Sequence, residues 1–220
     1  MGDTLVHWGV PKLERLAWVC AQAGFALPAD PDLVRRAAIV GEQHLTAAFG
    51  RFSLASVDDW RGFYGAVLAV LRVPSSAAEA LAQHHVTLRA PWTVDPDAAP
   101  VLRELRRRGY RIGLVSNWDG TLAVLCRTWA FTDLVDVIAD SSVVGYGKPD
   151  PAHFRHALGA LQVKPEHALH VGDTYDADVL SAQAAGIRPV LLDPLGHERR
   201  PCADRITSLP ALLDLCPTLP

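Results

Sequence analysis

The sequence predicts an α/β fold, a parallel sheet flanked by helices with a helical module ahead of it, and three observations carry that prediction. Between residues 98 and 192, short apolar runs alternate with stretches of helical spacing, the pattern of a parallel sheet covered by helices on both faces. Residues 10–88 show helical periodicity almost throughout and no convincing strand. The stretch from Leu169 through Gly172 and Asp173 to Asp178 reads as a strand, a tight turn and a helix, with two carboxylates at the junction. In an open parallel sheet that junction lies at the carboxyl ends of the strands, where ligands bind.

Taken in order, residues 1–8 are too polar and too short for a core strand and read as a loop. From Pro11, Leu13, Leu16, Ala17 and Cys20 keep one helical face apolar, and Gly24 closes that helix. Asp30 and Pro31 open a long helix through Phe49, as N-cap and first helical residue. Residues 57–59 open a third helix carrying Trp60, Phe63, Tyr64 and Val67, and Pro74 breaks the chain before an Ala-rich helix ending near His84. A helix over 98–108 presents Arg103, Arg106, Arg107 and Arg108 as a solvated face. Strands follow at 110–116 and 135–138, with a helix over 121–129 between them. A helix over 151–161, the Asp173 unit and a strand over 189–192 complete the pattern. Residues 197–220 read as a terminal helix and a frayed tail. The boundaries are 1–9, a loop belonging to the core; 10–88, a helical cap; and 89–220, a core with a Rossmann-like parallel sheet. Helices gathered before the sheet suggest a lid that excludes water and supplies substrate contacts. Within it, Trp8, Trp60 and Tyr64 are open to two readings, substrate contacts or cap core.

A formal net charge of -3 over 220 residues leaves no basic excess for nucleic acid. No apolar run reaches membrane-spanning length and no basic segment precedes an apolar core at the N-terminus, so no membrane partner and a cytoplasmic location are expected. Val6 stands where myristoylation would need Ser or Thr. Cys20, Cys126, Cys202 and Cys216 are scattered without a C-x-x-C pair and read as reduced thiols. Oligomeric state leaves no mark on this sequence.

Three loops at strand ends carry the chemistry. Ser116 and Asn117 offer a hydroxyl and an amide that can hydrogen-bond phosphate oxygens, or form a plain turn and N-cap. Lys148 stands between Gly147 and Pro149, a rigid frame that would aim one ammonium at a fixed point; alone it would be a solvated lysine. Asp173 and Asp178 are gathered without an obvious basic partner. Such a pair suits a hard divalent cation with oxygen ligands, or separately an N-cap and a first-turn acid.

Ser116-Asn117, then Lys148-Pro149-Asp150-Pro151, then Val171-Gly172-Asp173 with Asp178 resemble the second, third and fourth motifs of the haloacid dehalogenase-like (HAD) hydrolase superfamily. The likeness covers roughly residues 1–195, and residues 10–88 resemble that superfamily's cap. The resemblance implies a Mg²⁺-dependent phosphatase of a small phosphorylated metabolite, working through an aspartyl-phosphate intermediate. By it, Ser116, Asn117 and Lys148 form the phosphate site: Ser116 holds the transferring phosphoryl group, Asn117 orients the same loop, and Lys148 neutralises charge on the nucleophile and phosphate. Asp173, Asp178 and the Gly2 backbone carbonyl hold Mg²⁺.

The superfamily's first motif is a buried strand ending Asp-x-Asp-Gly-Thr. Aligned on Thr4-Leu5, Gly2 takes the place of the acid/base Asp and the nucleophile position falls immediately before Met1, so residues 1–9 resemble a remnant of that motif. Its strand runs in the middle of the sheet. Omitting it would leave unpaired main-chain groups on both neighbours, at about 1–3 kcal/mol each, against a total stability of about 5–15 kcal/mol. Two readings follow: a true start upstream of Met1, or a catalytically inactive HAD-fold protein that binds a phosphorylated ligand or a protein partner. Retention of Ser116, Lys148, Asp173 and Asp178 favours the first. Dehalogenation, which does not require a metal, is disfavoured by the two acids.

Overall fold

A computed structural model describes residues 2–10, 14–48, 56–88, 92–194, 196 and 198–219. The expectations resting on Met1, Pro11, Leu13 and Phe49 lie outside these residues. The chain forms two compact units, Met1–His7 with Thr93–Pro220, and Trp8–Trp92.

The chain opens on a strand, β1 (Val6–Trp8), where the sequence predicts a loop. Four helices follow: α1 (Arg15–Gln22), α2 (Pro31–Ala47), α3 (Val57–Leu71) and α4 (Ala78–Thr87). Then β2 (Trp92–Val94) pairs with β1 in a two-stranded sheet. Local periodicity hides this pair because each strand has only three residues and its partner lies far along the chain. Thr93 Oγ1 donates to the His7 carbonyl at 3.2 Å.

In the Trp8–Trp92 unit, local signals set the helix ends and apolar spacing sets the packing. Gly24, at φ +68°, takes the left-handed conformation that follows α1. The Asp30 carboxylate accepts the N–H groups of Asp32 and Leu33 at the head of α2. Ser56, rather than the acids at 58 and 59, caps α3 by accepting Asp59 N–H. On α3, Trp60, Phe63, Tyr64, Val67, Leu68 and Leu71 are buried, the i, i+3, i+4, i+7 pattern of one helix face. They pack with Leu16 and Val19 of α1 and Leu81 of α4 in one cluster. Trp60 stacks on His85 with ring centroids 3.5 Å apart, and Tyr64 Oη lies 2.7 Å from His85 Nδ1. Trp60 and Tyr64 therefore belong to the core of this unit.

The other unit carries α5 (Ala98–Arg107), β3 (Gly113–Ser116), α6 (Leu122–Thr128), β4 (Val137–Asp140), α7 (Ser141–Val144) and α8 (Pro151–Leu161). After these come β5 (Leu169–Gly172), a π-helical turn over Tyr175–Leu180, α9 (Ser181–Ala184), β6 (Arg188–Leu192), β7 (Asp204–Ile206) and α10 (Leu212–Leu215). All its registered strand pairs are parallel: β3 with β4, and β5 with β6 and β6 with β7. The sequence predicts one sheet; the described strands form two, β3-β4 and β5-β6-β7. Among the described residues, β3 and β5 each pair on one edge only. A cavity of about 780 Å³ lies between them, walled by residues that include Leu102, Leu105, Phe154 and Leu158.

The C-terminal stretch departs from expectation. It is docked, not frayed: Leu209, Leu212 and Cys216 are buried. Arg108, read as solvated, turns its guanidinium inward and donates to the carbonyls of Leu213 and Cys216 at 2.6 Å each. Strand β7 was hidden because Asp204-Arg205-Ile206 has one apolar residue, and its pairing is set by β6.

Candidate active site

Ser116 ends β3 and Gly172 ends β5, so the loops that follow both strands issue from carboxyl ends. A chain of hydrogen bonds ties them together. Asn117 Nδ2 donates to the Lys148 carbonyl at 2.9 Å, and Asn117 Oδ1 accepts Lys148 N–H at 2.8 Å. Lys148 Nζ then donates to Asp178 Oδ1 at 2.5 Å. Asp178 Oδ2 accepts the N–H of Thr174 at 2.9 Å. Thr174 follows Asp173 directly, and Thr4 Oγ1 donates to Asp173 Oδ1 at 3.3 Å. The structure thereby brings Asn117, Lys148, Asp173, Asp178 and Thr4 into one network, with Ser116 adjoining Asn117 and 4% exposed.

Several of these placements differ from what the sequence suggests. Asp178, expected to support a metal, has a basic partner after all: Oδ1 is held by Lys148 and by His170 Nε2, the latter at 2.8 Å. With Oδ2 on Thr174 N–H, both oxygens are engaged, and the carboxylate anchors the ammonium and the 173–174 turn. Asn117, expected near phosphate and as the residue that orients its loop, has both ends of its side-chain amide on the Lys148 backbone. That fixes where the ammonium starts from. Gly2 forms an isolated parallel bridge with Val6, and Asp3, at φ 58°, turns its N–H back to the Val6 carbonyl. This turn encloses Thr4, whose hydroxyl reaches Asp173.

Electrostatics explain why the Lys148–Asp178 pair is stable where it is. Burial by itself would raise the Asp178 carboxyl, but the Lys148 charge and the His170 hydrogen bond overcome it and hold the group well below the usual carboxylate range. Burial lowers His170, with the Asp178 hydrogen bond opposing it. An ionised carboxylate only accepts, so His170 Nε2 carries the proton and donates it to Oδ1. Phe154 sits edge-on against His170, with ring centroids 4.6 Å apart, and keeps the imidazole in place.

Two site-forming residues escape sequence reasoning. His170 is a polar residue inside an apolar strand, Leu169-His170-Val171, and that anomaly is the signal that could have marked it. Asp140, 3% exposed, accepts from the N–H groups of Gly120, Leu122 and Ser142 and so shapes the loop after β3. As the last residue of β4 it pairs in register with Ser116. An acid at a strand end, matching the placement of Asp173, is the only hint the sequence offers.

Among the described residues, no three His, Cys, Asp or Glu side chains converge to hold a metal. Mg²⁺ does not require such a cage, since it binds through one or two carboxylates with water and phosphate oxygens. Two hydroxyls lie beside Asp173: Thr4 Oγ1, 3.3 Å from Oδ1, and Thr174 Oγ1, 3.3 Å from Oδ2. A carboxylate with hydroxyls beside it offers hard oxygen ligands, which fit Mg²⁺ and do not fit a soft metal.

Comparison with known proteins identifies the family. A family model described as haloacid dehalogenase-like hydrolase matches residues 4–186. The mouse "Haloacid dehalogenase-like hydrolase domain-containing protein 3" is 35% identical over 131 residues, 58% of this chain and 52% of that protein. The chain thus spans about half the length of curated relatives of that kind. A phosphoglycolate phosphatase of Rhodospirillum rubrum is 32% identical over 206 residues, 92% of this chain and 80% of that one. Among solved structures, the HAD-hydrolase YfnB from Bacillus subtilis bound to magnesium superposes with a TM-score of 0.69 at 18% identity, covering 97% of this chain and 94% of that one. At that identity the likeness shows the fold.

Proposed function

We propose, from the premise that this chain belongs to the haloacid dehalogenase-like hydrolase family, that its site is that of a Mg²⁺-dependent phosphatase acting on a small phosphorylated metabolite. The observation that carries this reading is the buried Lys148–Asp178 pair, tied by Asn117 to the loop after β3 and by Thr174 to the loop after β5. An ammonium fixed between those two loops sits where a phosphoryl group bound by one and a metal bound by the other would both need it. Phosphatase names among the relatives support the reaction class.

In this reading Ser116 binds phosphoryl oxygens, with Asn117 as the positioning residue for Lys148. Lys148 neutralises charge that builds up on the phosphoryl oxygens, which is most of what phosphoryl transfer asks of a protein. Asp173 would hold Mg²⁺, assisted by the Gly2 carbonyl, while Asp178 keeps Lys148 in position. When bound, the metal supplies further neutralisation of phosphate charge. A carboxylate nucleophile would take the phosphoryl group as an aspartyl phosphate. The helical unit is the cap, and the protein works in the cytoplasm.

Hydrolysis of p-nitrophenyl phosphate, with and without Mg²⁺, tests this on the 220-residue chain and on one extended upstream to include an Asp before Met1. Mg²⁺-dependent turnover in the extended chain, abolished by Lys148→Met, is the expected result. Silence in both chains with the fold intact would turn the reading toward a protein that binds a phosphorylated ligand without cleaving it.

A further inference from the structure

The loops that follow β3, β4 and β5 carry charge and aromatic surface in unequal shares. Over residues 116–121, 140–148 and 173–178 the acids are Asp119, Asp140, Asp173, Asp176 and Asp178, and Lys148 is the one cation. Lys148 is committed to Asp178. Arg200, from the loop after β6, is committed to Asp176 and Glu198. A ligand that brought a carboxylate or a second phosphate against these loops would meet net negative charge, with no spare ammonium or guanidinium among their described residues. A charge that leaves water without a partner is costly.

Aromatic side chains stand where such a cation is missing. Trp118 follows Asn117 directly, and its indole N–H donates to the Thr121 hydroxyl at 3.1 Å, which ties the ring to its own loop. Tyr146 stands two positions before Lys148 with 47% of its surface exposed. The two residues flank one knot, in which the Asn117 amide holds the Lys148 backbone by both ends. Gly147 lies so close to that amide that an added Cβ would come within 3.0 Å of Nδ2. Tyr175, two positions after Asp173, is engaged elsewhere. The Arg200 guanidinium lies 4.1 Å over its ring centroid, and its hydroxyl donates to the Pro201 carbonyl at 2.9 Å. Trp118 and Tyr146 are therefore the aromatic surface that these loops set next to Ser116 and Lys148.

We propose, resting on the phosphatase reading, that the site takes a phosphate monoester whose leaving group presents an uncharged aromatic ring, with Trp118 and Tyr146 as specificity-determining residues. Such a ring gains from stacked or edge-on contact with an indole or a phenol and brings no second anion to an acidic rim. Isothermal titration calorimetry of the 220-residue chain with Mg²⁺ tests this without turnover. The probes are inorganic phosphate, phenylphosphonate and phosphonoacetate; the last two share a phosphonate, to which one adds a ring and the other a carboxylate. Phenylphosphonate should bind about tenfold tighter than phosphonoacetate, the scale of one aromatic contact. Trp118→Leu combined with Tyr146→Leu should erase that ratio. Tyr146→Leu alone, at an exposed position, should lower it part of the way, and it serves if the double variant does not fold. Because the readout is a ratio of two Kd values, a general loss of phosphate affinity in a variant cancels. If phosphate binds but the two phosphonates bind equally, or phosphonoacetate binds tighter, the proposal is overturned and the phosphatase reading stands. A ratio that survives in the variants overturns the role of Trp118 and Tyr146. If none of the three ligands binds, the phosphate site itself fails and this proposal falls with it.

Discussion

Lys148 Nζ lies 2.5 Å from Asp178 Oδ1, and the two side chains are only 7% and 5% exposed. A pair this dry is held against the cost of desolvating both ions, and removing one member strands the other. Lys148→Met or Asp178→Asn alone should cost about 3–5 kcal/mol in urea unfolding. Lys148→Met combined with Asp178→Leu should cost clearly less than the sum of the single changes, since it leaves no orphaned charge. The pH dependence has a fixed sign. Asp178 titrates lower in the folded than in the unfolded chain, so its contribution is complete above the ordinary carboxylate range and is lost as pH falls below it.

Glycine at 172 is required by that same pair. A Cβ there would run into the carboxyl group of Asp178, which is itself locked by three donors and cannot move aside. Gly172→Ala should therefore destabilise by about 1–3 kcal/mol through overpacking. Gly159→Ala makes the contrast: it lies in α8, exposed, with nothing within 4 Å of an added Cβ. That change should stabilise by about 0.5–1 kcal/mol through helix propensity. Urea midpoints of the two variants should move in opposite directions, and equal shifts would discredit the packing argument.

Those two glycines also show what could and could not be seen in the amino-acid sequence. The order of helices and the principal strands was legible because each is a local pattern: α3 shows its buried face at helical spacing, and β6 is a plain apolar run. Lys148 and Asp173 stood out through residue type and a turn beside them. What stayed hidden depends on partners far along the chain. Strands β1 and β2 have three residues each and are strands only because they pair. Asn117 offers the same amide whether it meets a phosphate or the Lys148 backbone, and Arg108 carries the same charge whether it points to water or to the carbonyls of Leu213 and Cys216. The assumption that Asp178 lacks a basic partner failed for the same reason, since Lys148 is thirty positions away.

His153 should make this unit acid-sensitive. It is fully buried, with Nε2 2.9 Å from the Ala139 carbonyl and Nδ1 without a hydrogen-bond partner among the described residues. Burial, the largest influence, pushes the imidazole down to about 4 from an ordinary 6.5. Between those two values the unfolded chain binds a proton that the folded chain does not, so stability falls as pH drops through this window. The loss at pH 5 relative to pH 8 should be on the order of 2 kcal/mol. His153→Gln should flatten this part of the profile in urea titrations at the two pH values, even if it lowers stability at both. An unchanged pH difference in that variant would assign the acid sensitivity to other groups.

Magnesium should be felt through Asp173 in a measurement that needs no turnover. A ligand that binds only the folded chain raises its stability by RT ln(1 + [L]/Kd), about 1.4 kcal/mol at ten times Kd. Mg²⁺ titrated into the chain should therefore raise the melting temperature progressively, and Ca²⁺, larger and less demanding in geometry, should do so less. Asp173→Ala should abolish the shift, since the other carboxylate of the network, Asp178, is held by Lys148, His170 and Thr174. Asp178→Asn separates the two roles. If Asp178 acts only as the anchor of Lys148, the variant should melt earlier yet keep its Mg²⁺ response; loss of that response as well would restore Asp178 to the metal's ligand set.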